Sequence, residues 1–231
     1  MQLSKKLARQ QDTKNRICEA AFHLYYQNGV EGVSMRTIGN KLGVSQMMPY
    51  RYFKSKNHLI TEMRGRVIDQ FSKYLEISFS KNKNPESKLF HGIFSYLHYS
   101  EVASEDYRFA FLMDRKDITL LSPDIILHHT NGQKQSLNII ANEISKIISE
   151  PVSSKKVQFL TRFLWVSTHG LASANINYML FGKPEYDDIK LQFVRQLFNN
   201  IIAPDLLKKL RKPSTYPEIN SLVTLSDNFA I

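Results

Sequence analysis

The sequence predicts an all-α protein. Apolar residues recur at intervals of three and four along nearly every segment, which is the period of an amphipathic helix, whereas the strict alternation of a strand is scarce. Glycine is also scarce, with 9 residues in 231. These observations favour about nine helices. We expect an N-terminal three-helix domain that contains a helix-turn-helix, followed by a larger C-terminal helical domain.

Local start and stop signals place the helices of the N-terminal part. Apolar residues from Ile17 to Tyr25 share one helix face, and Asn28-Gly29 suits a left-handed helix end. Ser34, Ser45 and Ser55 each precede a helical segment as N-caps. The predicted helices are 13–28, 34–42, 46–52 and 56–81.

Prolines and serines punctuate the rest of the chain in the same way. Pro85 suits a first helical turn, and Ser122-Pro123 is a cap followed by proline. The predicted helices are 86–102, 104–116, 122–149, 154–181 and 187–210, with the last kinked or split at Pro204. We therefore divide the chain into domains at 1–58 and 59–212, with an irregular tail at 213–231.

Charge is concentrated at the N-terminus. The net charge is +10, and residues 1–70 carry 12 Lys/Arg against 5 Asp/Glu. This asymmetry indicates that one part meets a polyanion, although a generally basic surface is the alternative. The single cysteine, Cys18, lies on an apolar helix face, which favours a buried thiol. With neither a signal-peptide core nor an apolar run of membrane-spanning length, the protein is expected to be soluble and cytoplasmic.

The helices at 34–42 and 46–52 form a predicted helix-turn-helix around Leu42-Gly43-Val44. A glycine is needed where the backbone turns sharply, and Ile38, Leu42 and Val44 are expected to pack the pair against the first helix. The second helix is polar on its outward side, which distinguishes it from an ordinary core helix. Phe53, just after it, is expected to belong to the core.

Three runs carry a family resemblance: RICEAAFHLYYQNG at 16–29, SMRTIGNKLGVS at 34–45 and YRYFKSKNHL at 50–59. Together they resemble the N-terminal domain of TetR-family transcriptional regulators. The run WVSTHG at 165–170 resembles the Trp-x-x-x-His-Gly signature of one TetR subfamily, called WHG. The resemblance implies a homodimer, a DNA operator and a small-molecule effector bound in the C-terminal domain.

In such a domain the second helix of the motif enters the major groove. Gln46 suits an adenine edge, Met47 and Met48 suit thymine methyl groups, and Arg36 suits either a guanine or a phosphate. Other side chains offer hydroxyls or charge to the phosphates: Thr37, Ser45, Tyr50, Arg51, Tyr52, Lys54 and Lys56. Many family members have smaller residues at the two methionines, and this departure leaves the operator sequence open.

The C-terminal part is predicted to hold the effector and the dimer seam. Aromatic residues are dense between 90 and 111, which ordinary core packing also explains. Candidate pocket residues are Phe94, His98, Phe109, Met113, His128, Trp165 and His169, and a buried structural histidine is the alternative for His169. His91, His98 and Glu101 share the spacing of half a metal site, but also that of a polar helix face. The resemblance implies dimerisation through the helices near 154–181 and 187–210.

The sequence thus predicts a ligand-responsive transcriptional repressor that is released from a palindromic operator by an effector. An activator or corepressor-dependent regulator of the same fold is one alternative, and an all-helical enzyme or adaptor with an incidental helix-turn-helix is another. We find no catalytic constellation at a persuasive spacing between residues 85 and 180. No cofactor, metal or membrane is expected.

Overall fold

The structure is a computed structural model that describes residues 2–112, 137–177, 183–199 and 201–219. Within these ranges it is all-helical, as predicted. The α-helices are α1 (Gln2–Gly32), α2 (Met35–Lys41), α3 (Lys56–Ser80), α4 (Pro85–Val102), α5 (Ser104–Phe111), α6 (137–148), α7 (Lys155–Ile176), α8 (Lys183–Phe198) and α9 (Pro204–Lys209). A short 3-10 helix lies at Pro49–Arg51. No helix in the described ranges combines the length and apolarity needed to cross a membrane.

Helix α1 is longer than its apolar face predicted. It begins at Gln2, eleven residues before the predicted start, because the leading residues are mostly good helix formers without an apolar stripe. At its other end Gly29 has φ 65° and interrupts the helical geometry. Glycine adopts this left-handed conformation without a steric penalty, as predicted for the helix end.

Most helix starts follow their predicted caps. The side chain of Ser34 accepts from Thr37 N and that of Ser154 from Val157 N, while Pro85 occupies the first turn of α4. Several ends differ from prediction. Helix α5 ends at Phe111 and α7 at Ile176, earlier than expected; residues 113–116 and 178–181 of those predictions lie outside the described residues.

The predicted last helix is two helices. Helix α8 begins at Lys183 rather than near 187, with Pro184 in its first turn, where the missing N–H costs no hydrogen bond. It ends at Phe198, and α9 begins at Pro204. The chain therefore splits at Pro204, one of the two outcomes predicted there. The start of the predicted helix 122–149 lies outside the described residues, and only 137–148 is seen as helix.

The described residues form two compact units, one of residues 2–67 and 109–112 and one of 68–108, 137–177, 183–199 and 201–219. In the first unit α1 packs against α2. Its core includes Ile17, Ile38 and Phe53 as predicted, whereas Val44 is exposed and the packing role predicted for it is wrong. Cys18 is buried there, and burial raises the pKa of its thiol to about 12, so the thiolate is disfavoured.

In the second unit α4 packs against α7 and α8, and α7 packs against α8. Aromatic side chains fill much of this core, including Phe90, Phe94, Tyr99 and Phe198. The last described residues, 210–219, form no helix. They lie along α4, where the ring of Tyr216 stacks on His98 with centroids 3.9 Å apart.

Candidate nucleic-acid interface

The start of α2 is fixed by a reciprocal pair of side-chain bonds. Thr37 N donates to Ser34 Oγ at 3.0 Å, and Ser34 N donates to Thr37 Oγ1 at 2.9 Å. This capping box satisfies two backbone N–H groups that a helix start otherwise leaves unpaired. Thr37, predicted to bind phosphate, is thus half-buried and already bonded within the chain.

The segment after α2 turns on Gly43, which has φ 67°. A non-glycine residue rarely adopts this conformation, so the predicted turn glycine is confirmed. Ser45 follows, and its Oγ accepts from Met47 N at 3.3 Å, consistent with its predicted capping role. We call residues 45–53 the reading segment.

The reading segment is not the α-helix predicted at 46–52. Met48 N donates to Ser45 O at 2.9 Å, Arg51 N to Met48 O at 3.1 Å, and Tyr52 N to Pro49 O at 3.0 Å. These are bonds to the third preceding residue, the pattern of a 3-10 helix. Pro49 has no N–H to give to Ser45 O, so the carbonyl is taken by Met48 and the turn tightens.

Sequence reasoning missed the importance of Gly39. A Cβ placed on Gly39 would lie 2.9 Å from Gln46 Cα and 3.2 Å from Val44 O. The reading segment therefore crosses α2 at backbone distance, and only glycine leaves the room. The sequence contained a signal for this contact. Glycine inside a helical pattern is unfavourable, and its presence indicates a close packing contact.

Most of the predicted DNA-contacting residues are exposed. Met47 is 60% exposed and Tyr50 49%. Met48 and Tyr52 are half-buried. Exposure is shared by the remaining residues of this face: Arg36, Ser45, Gln46, Arg51 and Lys54. Among the described residues the cations Arg36, Arg51 and Lys54 have no carboxylate within ion-pair distance.

Lys56 differs from these cations. It begins α3, as predicted, but its Nζ donates to Val30 O at 2.6 Å and its side chain is half-buried. The bond ties the start of α3 to the last turn of α1. An ammonium has three N–H groups, so this bond leaves two with which Lys56 can meet a phosphate.

In the second unit, a buried polar cluster surrounds His169. Tyr107 OH lies 2.6 Å from His169 Nδ1 and 2.8 Å from Tyr96 OH. The ring of Trp165 stacks on His169 with centroids 5.7 Å apart. Burial lowers the pKa of His169 and raises those of both tyrosines, so all three groups are neutral at pH 7.

The other predicted pocket residues do not join this cluster. Phe94 packs on Phe90 within the core of the second unit, and His98 stacks on Tyr216. Phe109 belongs to the first unit, where its ring lies 4.5 Å from that of Tyr25. Met113 and His128 lie outside the described residues.

The histidines of α4 have partners other than a metal ion. His91 Nε2 lies 3.0 Å from Arg211 O, and His98 is covered by Tyr216. Glu101, the third residue of the considered half-site, accepts from Lys190 Nζ at 2.9 Å. No group of three or more His, Cys, Asp or Glu side chains in the described ranges could hold a metal ion.

Residues 17–63, which run from α1 through the reading segment into α3, match the family model for bacterial regulatory proteins of the tetR family. This part of the chain is a TetR-type helix-turn-helix domain. The match favours a transcriptional regulator over the enzyme alternative.

Two curated relatives match the chain over different lengths. The Probable HTH-type transcriptional regulator YttP of Bacillus subtilis strain 168 is 27% identical over 136 residues, which cover 58% of this chain and 65% of YttP. The HTH-type transcriptional repressor KstR of Rhodococcus jostii strain RHA1 is 30% identical over 79 residues, 34% of each protein. The matched segments thus span less than two thirds of either relative.

The TetR fold extends beyond the matched N-terminal segment. The crystal structure of the transcriptional regulator FadR from Bacillus subtilis, in complex with stearoyl-CoA, superimposes with a TM-score of 0.58 at 16% identity. The superposition covers 81% of this chain and 98% of FadR. At this identity the likeness concerns the fold: an N-terminal helix-turn-helix followed by a C-terminal helical domain.

Proposed function

We propose that this protein is a DNA-binding transcriptional repressor of the TetR family that a small molecule releases from its operator. The observation that carries the proposal is the surface formed by Arg36, Arg51 and Lys54 beside the exposed reading segment. Three cations without ion-pair partners among the described residues flank polar and apolar tips that face solvent. Such a surface suits a polyanion whose bases must be read.

Within this surface we assign base reading to Gln46, Met47 and Arg36, with Met48 partly covered behind them. A glutamine amide pairs with an adenine edge, and a thioether packs on a thymine methyl group. Phosphate contacts are assigned to Ser45, Tyr50, Arg51, Tyr52 and Lys54, with Thr37 and Lys56 contributing beside their internal bonds. In this division the phosphate contacts set affinity and the base contacts set sequence preference.

The protein is proposed to act as a homodimer through α7 and α8. On α7, Phe159, Phe163 and Val166 are 65%, 40% and 57% exposed, and the two phenyl rings stack with centroids 6.1 Å apart. They line a surface groove that also includes Ser153 and Arg162. A contiguous apolar stripe of this kind is characteristic of a protein interface, and a second copy of the same helix supplies a matching apolar face.

The effector is proposed to bind in the C-terminal part of the chain, from about residue 59 to 212, while residues 1–58 bind DNA. The Trp165–His169 stack with its two tyrosine hydroxyls offers apolar walls and polar tips, and we infer a WHG-type domain from it. FadR binds stearoyl-CoA, which makes fatty acyl-CoA a reasonable first probe in a thermal-shift screen.

Repression, as in KstR, is proposed over activation, and the site of action is the bacterial cytoplasm, where the chromosome lies.

A titration of the purified protein against a duplex from its own promoter region tests the DNA proposal. We expect wild-type affinity to fall steeply with salt, because each neutralised phosphate contributes about 0.9 to the slope of log K against log salt. Arg51→Ala with Lys54→Ala should weaken binding at least about tenfold. Lys81→Ala with Lys83→Ala removes the same charge from exposed positions elsewhere and should leave binding unchanged.

Two results would count against this function. Salt-independent binding, or equal losses in the two double variants, would show that the reading-segment surface is not a DNA interface. A reporter driven by the same promoter then decides the direction of control. Transcription that falls when the gene is deleted would show an activator.

A further inference from the structure

The first turns of α1 form a cationic extension of the family domain. Helix α1 begins at Gln2, whereas the TetR match begins at residue 17. Residues 5–12 are all exposed, so this stretch is helical without packing on a core. It carries Lys5, Lys6 and Arg9 against the single acidic residue Asp12.

These cations share a surface groove with a residue of the reading segment. Tyr52, the residue that follows the 3-10 helix, lines a surface groove together with five residues of the extension: Lys5, Lys6, Arg9, Gln10 and Thr13. The groove has a volume of about 380 Å³. We call it the N-terminal groove. Its lining residue Tyr52 directly follows Tyr50 and Arg51, which belong to the proposed DNA surface.

The charge arrangement in the groove favours an external anion. Lys5 and Arg9 are four residues apart, so they face each other on one side of the helix, and like charges at this spacing destabilise a helix. None of the three cations has an ion-pair partner in the described part of the chain. Four residues span about 6 Å of helix axis, close to two phosphate steps of about 3.4 Å along one DNA strand.

We infer that the N-terminal groove binds backbone phosphates of the DNA that flanks the sequence read by the reading segment. The inference rests on the proposed DNA-binding function and extends it by a second contact region outside the helix-turn-helix. Leu7 is the one large apolar side chain exposed on the described part of this stretch. A membrane surface would require a broader apolar face, so DNA suits the groove better than lipid does.

Phosphate contacts without base contacts have a distinct signature. They should add affinity and salt dependence to every sequence equally, and leave the ranking of operator variants unchanged. They should also need flanking duplex, so a duplex trimmed to the read sequence should bind more weakly than a longer one.

Fluorescence anisotropy with the full chain and a long promoter duplex tests this inference. We expect Lys5→Gln, Lys6→Gln and Arg9→Gln together to weaken binding at least about tenfold at low salt. The slope of log K against log salt should fall in magnitude by up to about 2.7, or 0.9 for each of three phosphates. Glutamine keeps the helix propensity of lysine and arginine, and Lys81→Gln, Lys83→Gln and Lys209→Gln is the charge-matched control.

The outcomes separate this inference from the proposed function. If wild type binds DNA steeply and the groove variant matches it in affinity and slope, the groove makes no phosphate contact, while the DNA-binding function stands. If wild type itself fails to bind, both are overturned. If the groove variant keeps its DNA affinity but loses binding to phosphatidylglycerol vesicles, the groove serves a membrane surface and the inference is overturned.

Discussion

At the residue scale, two glycines shape the helix-turn-helix for different physical reasons. Gly43 supplies a backbone conformation, with φ 67° at the turn. Gly39 supplies space, because any Cβ there would press on the backbone of Gln46. The first requirement is local and could be predicted from the sequence. The second arises only when the reading segment folds back across α2.

Gly39→Ala should therefore destabilise the first unit although alanine favours a helix. The gain in helix propensity is about 1 kcal/mol, whereas forcing backbone apart in a packed site costs about 1–3 kcal/mol. We expect a net loss of about 1 kcal/mol in urea unfolding, and weaker DNA binding because the reading segment must shift.

Asn40→Ala is the matched control for Gly39→Ala. Asn40 is the next residue of α2, its side chain is exposed, and the change raises helix propensity without a clash. We expect unchanged or slightly higher stability from it. A Gly39→Ala protein that is as stable as Asn40→Ala would show that the space between α2 and the reading segment can accommodate a Cβ.

At the element scale, caps were predictable and the lengths of the helices were less so. Ser34, Ser154 and Pro85 mark helix starts through short-range chemistry that a sequence displays directly. The early start of α1 was missed because its first turns bury nothing and so have no apolar period. The 3-10 geometry at Pro49 was missed because a cap and a proline together permit either an α or a 3-10 turn, and the structure has the tighter one.

The predicted DNA-contacting residues likewise depend on short-range features of the sequence. The exposed cations and polar tips of the reading segment come from local order, and the structure leaves most of them exposed. The predicted pocket residues, in contrast, do not form one cluster among the described residues. Phe94, His98 and Phe109 are aromatic residues of one stretch of sequence, yet each has a separate set of partners. The partners of a buried side chain depend on contacts between helices that are far apart in the sequence, and hydrophobic periodicity does not predict those contacts.

Helix α3 meets α5 through a buried cation. Arg64 is 5% exposed, and its Nη2 donates to Ala110 O at 2.6 Å. Its Nε and Nη1 have no acceptor in the described part of the chain. Burial lowers the pKa of Arg64 from 12.5 to about 10, so the unfolded chain holds the proton more tightly than the folded one. At neutral pH the guanidinium is charged in both states, and folding bears a cost that is relieved only as pH rises past about 10.

Arg64→Met should raise the free energy of unfolding at pH 7. The lowered pKa corresponds to a burial cost of about 3 kcal/mol, which the substitution removes. Loss of the bond to Ala110 reduces this gain in stability by about 1 kcal/mol. We expect a net gain of about 1–2 kcal/mol in urea unfolding. Arg66→Met is the control, since Arg66 bonds to Glu62 and Asn15 and should be neutral or destabilising when lost. A clear loss of stability in Arg64→Met would show that packing and the bond to Ala110 outweigh the burial of charge.

At the scale of the whole molecule, the proposed repressor depends on two copies of the reading segment. A twofold dimer reads a palindrome whose half-sites lie about one DNA turn, or 34 Å, apart. Binding two half-sites at once multiplies affinity without any new contact, by about 10²–10⁴. An effector that prefers a dimer with wrongly spaced reading segments would lower this affinity by shifting the population between states.

Phe159→Asp with Phe163→Asp should convert the dimer to a monomer, because each change places a charge in an apolar contact. In sedimentation velocity we expect the wild type at the mass of two chains and the variant at one. Its affinity for the palindromic duplex should fall at least about 100-fold, while its affinity for a single half-site stays close to that of the wild type. Ile77→Asp removes an apolar residue that is 50% exposed elsewhere in the same unit and should remain dimeric. A double variant that stays dimeric would place the seam away from α7, and one that turns monomeric yet binds the palindrome at full affinity would show that each copy reads DNA alone.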